Sequence, residues 1–490
     1  MKISKINIVS TGLEHFVSIS ILFITYRIVF AQTGGIQIMG LWAIFQALVS
    51  FPIICTSGYA TSAIKFVSKY NGSEETQIIQ KTIDTIVIVI FLATVSICIS
   101  MWLFLYFKYS LLFTAPEFQQ LQSYVYIILL SLIFSAIGKI YMNTLDGLFL
   151  IPYRSAIGII SRFAFFISSL LLIKKYGFQG LVLADLIQNG ILFIGGLLVL
   201  KIKMKKFNLI AYKFDIKLFK EIFKYGNHFQ VAAIFQLFMD PMTKIFLKSF
   251  GNISTIAIYD IVYKIFMQSR TVIVVILNTF LPALGKLSSE MKDGQINALY
   301  KKIFSYSIFC TISIFSVLFL IMPFLLKFVG ISNNFTIFNY NIIISLSMLS
   351  NMFGVTTYIF NIGTGQMKGN IIYSASMAVF NFLIGLILGY FYGSNGVILS
   401  AMLAQLFGVI IINIYSVKLY KLHFKSMIQK EEIITCSLFL ILVMLIGARI
   451  LLLANGIEID ILLNSIMFLA LFYYFFFKNK YGKGLLLNFI

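Results

Sequence analysis

KIKMKKFNLIAYKFDIKLFKEIFKYG, residues Lys201 to Gly226, carries eight lysines and stands between two long tracts of apolar sequence. Two apolar spans follow it. The first holds Asp240 and Lys244, and the second, after the turn Gly251-Asn252, holds Asp260, Lys264 and Arg270. Met1 to Leu200 reads as an earlier copy of the pattern that begins here, which makes the basic stretch the hinge between two halves.

The composition sets the solvent. Hydrophobic residues make up 60% of the chain and charged residues only 11%, with 51 phenylalanines and a mean hydropathy of +0.96, far above the roughly half-apolar makeup of soluble domains. A helix needs about 20 apolar residues to cross a hydrocarbon core of about 30 Å, and such windows recur from end to end. The first of them carries Glu14, His15 and Arg27 and lacks a clean apolar centre or a small-residue cleavage site, so it is expected to remain as a span rather than to be a signal peptide. Cys55, Cys98, Cys310 and Cys436 sit singly in apolar runs, without the spacing of a zinc site or a disulfide framework. The excess of 38 Lys and Arg over 17 Asp and Glu falls in short loops, where membrane topology explains it better than nucleic-acid binding.

Six spans precede the hinge, near 10–31, 38–62, 84–107, 123–146, 151–173 and 180–200. Eight follow, near 222–248, 255–283, 303–326, 338–362, 370–391, 395–417, 432–453 and 458–477. Cytoplasmic loops are enriched in Lys and Arg. Lys2 and Lys5, Lys65, Lys69 and Lys81, the hinge, Lys286 to Lys302, Lys418 to Lys430 and the tail lysines all fall on one side, against few cations on the other, with Lys174-Lys175 a local exception. Both termini are therefore expected in the cytoplasm. The expected fold is an all-α polytopic membrane protein of about fourteen transmembrane helices. Residues 1–205 and 206–425 form two pseudo-symmetric six-helix lobes, and 426–490 adds two helices and a tail.

The duplication is visible in three matches at an offset of about 217 residues. YGFQGLVL from Tyr176 recurs as YGSNGVIL from Tyr392, Gly34-Gly35-Ile36 as Gly251-Asn252-Ile253, and Asn143…Gly147 as Asn361…Gly365. A six-span repeat returns to its starting side, so the copies lie parallel, as in transporters built from two related lobes.

The chain resembles the multidrug/oligosaccharidyl-lipid/polysaccharide (MOP) exporter superfamily and, within it, the Wzx-like polysaccharide flippases. The resemblance rests on GLWAIFQALVSF and SGYATSAIKFVSKY in the first helical pair, on FKYGNHFQ…FMDPMTKIFLKSFGN…IAIYDIVYKI at the start of the second lobe, and on NIGTGQMKGN. It implies two bundles forming a V around a central cavity, alternating access in the bacterial inner membrane, and export of an undecaprenyl-diphosphate-linked oligosaccharide such as an O-antigen unit. Membrane lipids, a polysaccharide polymerase and glycosyltransferases would be its partners, and a proton or sodium ion would drive it without any bound cofactor.

Charges inside spans cost roughly 2.5–3.5 kcal/mol each unless they face water or a partner. Asp240 and Lys244, with Gln236 one turn earlier, form one stripe, and Asp260, Lys264 and Arg270 another. Lys139, Asn143 and Asp146 form a third, Arg154 and Arg162 a fourth, and Asp185, Gln188 and Asn189 a fifth. The two i,i+4 Asp/Lys pairs equally suit intrahelical ion pairing. Arg27 coincides with Lys244 at the repeat offset, so each half places a cation at one position. Arg27, Lys139, Arg162, Lys244, Lys264 and Arg270 are the candidate cations for a diphosphate, because Arg offers a planar fork and Lys a point charge. Arg154, beside a short loop, suits interfacial snorkelling. Glu14, Asp185, Asp240 and Asp260 are candidates for ion coupling or ion pairing.

Asn351, Tyr358, Asn361, Asn370, Ser374 and Asn381 offer amide, hydroxyl and aromatic groups to sugars, or equally to helix–helix hydrogen bonds. His15, His228 and His423 are scattered, and no nucleophile–base or phosphate-loop spacing appears, so an enzyme is not expected. A lipid II flippase, or a cation-coupled multidrug exporter of the same superfamily, remains the alternative reading.

Overall fold

The computed structural model describes residues 5–33, 36–70, 76–108, 119, 122, 124–204, 207–208, 210, 213–236, 238–278, 293–330, 335–364, 367–420, 434, 437 and 473. Among these residues the ordered elements are helices and no strand occurs. They are α1 (Lys5–Thr33), α2 (Ile36–Tyr70), α3 (Thr76–Lys108), α4 (Val125–Gly147), α5 (Ile151–Tyr176), α6 (Phe178–Lys203), α7 (Ile216–Gln236), α8 (Asp240–Phe250), α9 (Ile253–Asn278), α10 (Asp293–Val329), α11 (Phe335–Thr364) and α12 (Met367–Leu419). Nine stretches among the described residues are long and apolar enough to cross a membrane. The last is α12, whose 53 residues break at Gly393 into arms matching the expected spans 370–391 and 395–417. The expected spans 432–453 and 458–477 lie outside the described residues, apart from three isolated positions.

One expected span is two helices. The apolar run 222–248 breaks before Asp240, because Met239 is non-helical (φ −97°, ψ −103°) and Pro241 opens α8. Proline has no N–H with which to continue a helical ladder, but it is tolerated in a first turn. Gln236 therefore ends one helix while Asp240 and Lys244 begin the next, and the single stripe expected for them does not form.

Two compact units divide the chain, Met1–Ala257 and Ile258–Ile490. The division falls inside α9, so α7 and α8, with which the second sequence copy opens, belong to the first unit and pack on α2. In that unit α5 lies on α1 and α6, and α4 on α2, α3 and α6. Its core joins Ala63, Ile83, Ile90, Ile140, Leu145 and Leu200 to Phe207 of the hinge and Ile222 of α7. In the second unit Ile273, Leu277, Ile303, Met352, Val355 and Ile359 bring α9, α10 and α11 together, and α12 packs on α11.

Lipid is as apolar as these side chains, so close approach and polar contacts hold such bundles together. The quoted sequence motifs meet at such contacts. Trp42 of GLWAIFQ stacks on Phe45 (5.1 Å) and Phe165 (6.3 Å). Gln230 of FKYGNHFQ accepts from the N–H of Gly58 (2.9 Å) and donates to the carbonyl of Ile54 (3.1 Å). Those two backbone groups are a helical i,i−4 pair, so the amide has entered the ladder of α2, one of the recognised ways to bend a helix. A methyl at Gly58 would meet the Gln230 backbone at 2.6 Å, so only glycine admits the approach.

Candidate functional site

In the first unit, charged groups from four helices converge. Arg154 of α5 pairs with Glu14 of α1 (3.2 Å) and with Asp146 of α4 (3.2 Å). It is thus a bridge between helices, not the snorkelling residue expected from its place beside a short loop. Two carboxylates share one guanidinium there. Glu14 lies over Gly158, where an added methyl would land on its carboxylate oxygen. His15 stands within electrostatic reach of Glu14, Arg154 and Arg162.

Arg162, exposed and one helical turn beyond Gly158, interacts with Glu14 and with Asp185 of α6. Asp185 accepts from the Ser131 hydroxyl (2.6 Å) and the Asn189 amide (3.0 Å), and Asn189 also donates to Ser131 (2.9 Å). Sequence spacing brings out Asp185 and Asn189. Ser131 of α4 escapes it, since one serine in an apolar helix carries no pattern.

The other first-unit candidates have separate environments. Lys244 pairs with Asp240 at 2.8 Å, its side chain 4% exposed, whereas Arg27 is exposed on α1. The two repeat-related cations are therefore unlike in setting. Lys139 is partly buried on α4, and among the described residues no ion pair reaches it or Arg27. Asn143 donates to the carbonyl of Ala60 (3.0 Å) and ties α4 to α2.

In the second unit, Arg270 of α9 donates through Nε to Asn351 of α11 (2.7 Å), and the Asn351 amide donates to the Tyr373 hydroxyl of α12 (3.1 Å). The Tyr358 and Tyr373 rings meet edge to face at 6.1 Å. Tyr373, Tyr263 and Tyr358 surround the guanidinium electrostatically, and among the described residues no carboxylate pairs with it. Lys264, by contrast, pairs with Asp260 at 2.8 Å, which accounts for that i,i+4 pair as an intrahelical bridge. Tyr373 is the member of this group that the sequence leaves unmarked.

The remaining amides hold helices together. The Asn361 amide donates to Asn370 (3.0 Å), Asn370 donates to the carbonyl of Tyr358 (3.0 Å), and Tyr420 donates to Asn361 (2.9 Å). Asn361 and Asn370 are fully buried, and Asn381, 1% exposed, lies near Ser400 (3.4 Å). Ser374 is buried as well. Of the amides expected to meet sugars, Asn351 alone touches a candidate cation, as far as the described residues extend.

Helices of this number and order among the described residues define an all-α polytopic membrane fold, and solved structures of that fold are similar to it. A structure titled lipid II flippase MurJ, in an inward closed conformation, matches with a TM-score of 0.68 over 96% of this chain and 98% of that one, at 17% identity. An inward-facing MATE-family multidrug resistance transporter of the MOP superfamily matches with a TM-score of 0.63 over 83% of this chain and 98% of that one, at 13% identity. A MOP-superfamily transporter from Pyrococcus furiosus, titled for the reverse polarity of its binding pocket, matches with a TM-score of 0.62 over 85% and 95%, at 12% identity. No family model matches the sequence, and no curated protein does.

Proposed function

We propose that the chain is a flippase that carries a lipid-diphosphate-linked oligosaccharide across the bacterial cytoplasmic membrane, with both termini and the Lys201–Lys224 hinge on the cytoplasmic side. The observation that carries this reading is Arg270, a guanidinium within the second unit that no described carboxylate neutralises and that Asn351 holds among tyrosines. A cation kept inside a membrane protein at this cost suits an anionic ligand, and a planar fork suits the oxygens of a diphosphate. Tyrosines around it present aromatic faces and hydroxyls of the kind sugars use. Lys264 and Lys244, each with its own aspartate, contribute less free charge.

Coupling is assigned to the first-unit cluster. Glu14 and Asp146 share Arg154, and Arg162 interacts with Glu14 and Asp185, so protonation or binding of a small cation there changes the charge balance among four helices. The multidrug-exporter alternative would use Glu14, Asp240 or Asp260 for a cationic drug and gives Arg270 no task.

The test is a deletion strain complemented with variants. Without the protein, lipid-linked oligosaccharide should accumulate on the inner leaflet and surface glycan should be lost. Arg270→Ala should fail to complement at normal protein levels while Arg270→Lys retains part of the activity. Unimpaired surface glycan in the deletion strain rejects the flippase reading. Accumulation of a peptidoglycan precursor, instead of a polysaccharide one, selects the lipid II flippase within the same chemistry.

A further inference from the structure

The hinge is held in place by its backbone. Asn208 N–H donates to Gln80 Oε1 (3.1 Å), Lys213 N–H to Asp84 Oδ2 (3.2 Å) and Asp215 N–H to Thr85 Oγ1 (3.2 Å), all on α3. Asp84 is 1% exposed, and its other oxygen accepts from Gln80 (2.5 Å). Asp215 then caps α7 through Oδ1, which accepts from the N–H groups of Lys217 (2.9 Å) and Leu218 (3.1 Å).

The side chains beyond that cap divide by direction. At about 100° per residue, Lys217, Lys220 and Lys224 share one arc of α7, and Ile216, Phe219 and Phe223 lie on the arc beside it. The three lysines are exposed, and so are Ile216 (53%) and Phe223 (44%). Next to this edge is a small apolar depression lined by Tyr59 of α2, Thr85 and Ile86 of α3, and Phe219 and Phe223 of α7. Tyr59 stacks on Phe223 at 5.5 Å, and exposed Phe214 rests on Phe219 at 5.9 Å. Lys81, also exposed, lies one turn before Thr85 on α3. Asp215, near Lys81 and Lys217, and Glu221 are the carboxylates on this stretch, so the cations exceed them.

We propose that this edge is a binding site for one anionic phospholipid of the cytoplasmic leaflet, with its phosphate on Lys81, Lys217, Lys220 and Lys224 and its acyl chains against the exposed Phe214, Ile216 and Phe223. A purely soluble loop has no use for Phe214, Ile216 and Phe223 beside its lysines. A lipid surface takes both, since lysine stems lie along apolar surface while their ammonium groups reach headgroups. Lysines beside an anionic leaflet are drawn to its headgroups. The site is distinct from Arg270; it rests on the cytoplasmic placement of the hinge in the proposed function, and not on the substrate assigned there.

The experiment places a reporter by Phe223→Trp in the full-length protein, with Trp42 and Trp102 emission subtracted using the parent. The protein is reconstituted in phosphatidylcholine vesicles containing dibrominated phosphatidylglycerol or dibrominated phosphatidylcholine. The anionic lipid should quench the added tryptophan at roughly fivefold lower content, and Lys217→Gln, Lys220→Gln and Lys224→Gln together should erase the preference while quenching by both lipids persists. Equal quenching by the two lipids in the lysine-bearing protein overturns the proposal, as does no quenching by either. A preference that survives the three substitutions, or that millimolar inorganic pyrophosphate removes without added salt doing the same, also overturns it, the latter by revealing a site for free phosphate.

Discussion

Gly177 and Gly393 share one backbone conformation, φ 55° with ψ −128° and φ 60° with ψ −142°, at corresponding points of YGFQG and YGSNG. Each breaks a pair of apolar helices, and three residues on, Gly180 and Gly396 each meet the backbone of the preceding helix, at Leu172 and Leu388. One of the three sequence matches is thus a repeated turn. This φ/ψ region belongs almost entirely to glycine and costs other residues about 1–3 kcal/mol. Gly177→Ala and Gly393→Ala should therefore each lower the thermal melting point of the purified protein by similar amounts, whereas Gly12→Ala, inside α1 with open space around it, should not lower it and should raise it slightly, because alanine favours a helix over glycine.

The amide of Gln230 should govern the shape of α2. Gln230→Leu removes both of its bonds to Gly58 and Ile54 and lets those groups pair with one another. Spin labels at the two ends of α2 should show a shift in mean separation for Gln230→Leu relative to the parent protein.

Lys244 and Asp240 form a pair whose lysine is almost wholly buried. Removing one partner of such a pair is expected to cost about 3 kcal/mol, because a charge is left without its counter-charge. Lys244→Ala should lower protein yield and melting temperature, and Asp240→Asn with Lys244→Gln should restore both. Export measured in the double variant then separates a structural pair from a substrate contact: recovery removes Lys244 from the substrate site. Arg27, exposed and unpaired among the described residues, should lose export on Arg27→Ala without loss of stability, with partial function in Arg27→Lys.

The cap at Asp215 carries a pH dependence. The N–H groups of Leu218 and Lys217 hold its carboxyl below the usual aspartate value. A lowered folded value means that this contribution is present above the unfolded value and is lost as pH falls through the folded one. Amide exchange at Lys217 and Leu218, corrected for intrinsic rates, should show protection that is steady at neutral pH and declines only under acid. Asp215→Asn should keep the protection and abolish its acid dependence.

Much of the architecture was legible in order and composition. Apolar windows placed the helices, the YGFQG and YGSNG motifs marked two like turns, and i,i+4 spacing offered the pairings Asp240/Lys244 and Asp260/Lys264 that the structure shows. These are short-range properties, set by 1.5 Å of rise and about 100° of turn per residue. The sequence misled where a local feature outweighed hydropathy, as at Pro241, which splits an otherwise unbroken apolar run.

Partnership between helices was decided by tertiary structure. Arg154 becomes a bridge because α1 and α4 bring Glu14 and Asp146 to it. Asn361 and Asn370 spend their amides on each other and on neighbouring groups, while Asn351 goes to Arg270. Asp84, at the edge of an apolar run, turns out to hold the hinge, and Ser131 and Tyr373 join sites to which no spacing rule pointed. Which groups meet depends on how helices pack, and packing in lipid is fixed by close approach and by polar contacts distributed over residues far apart in the chain.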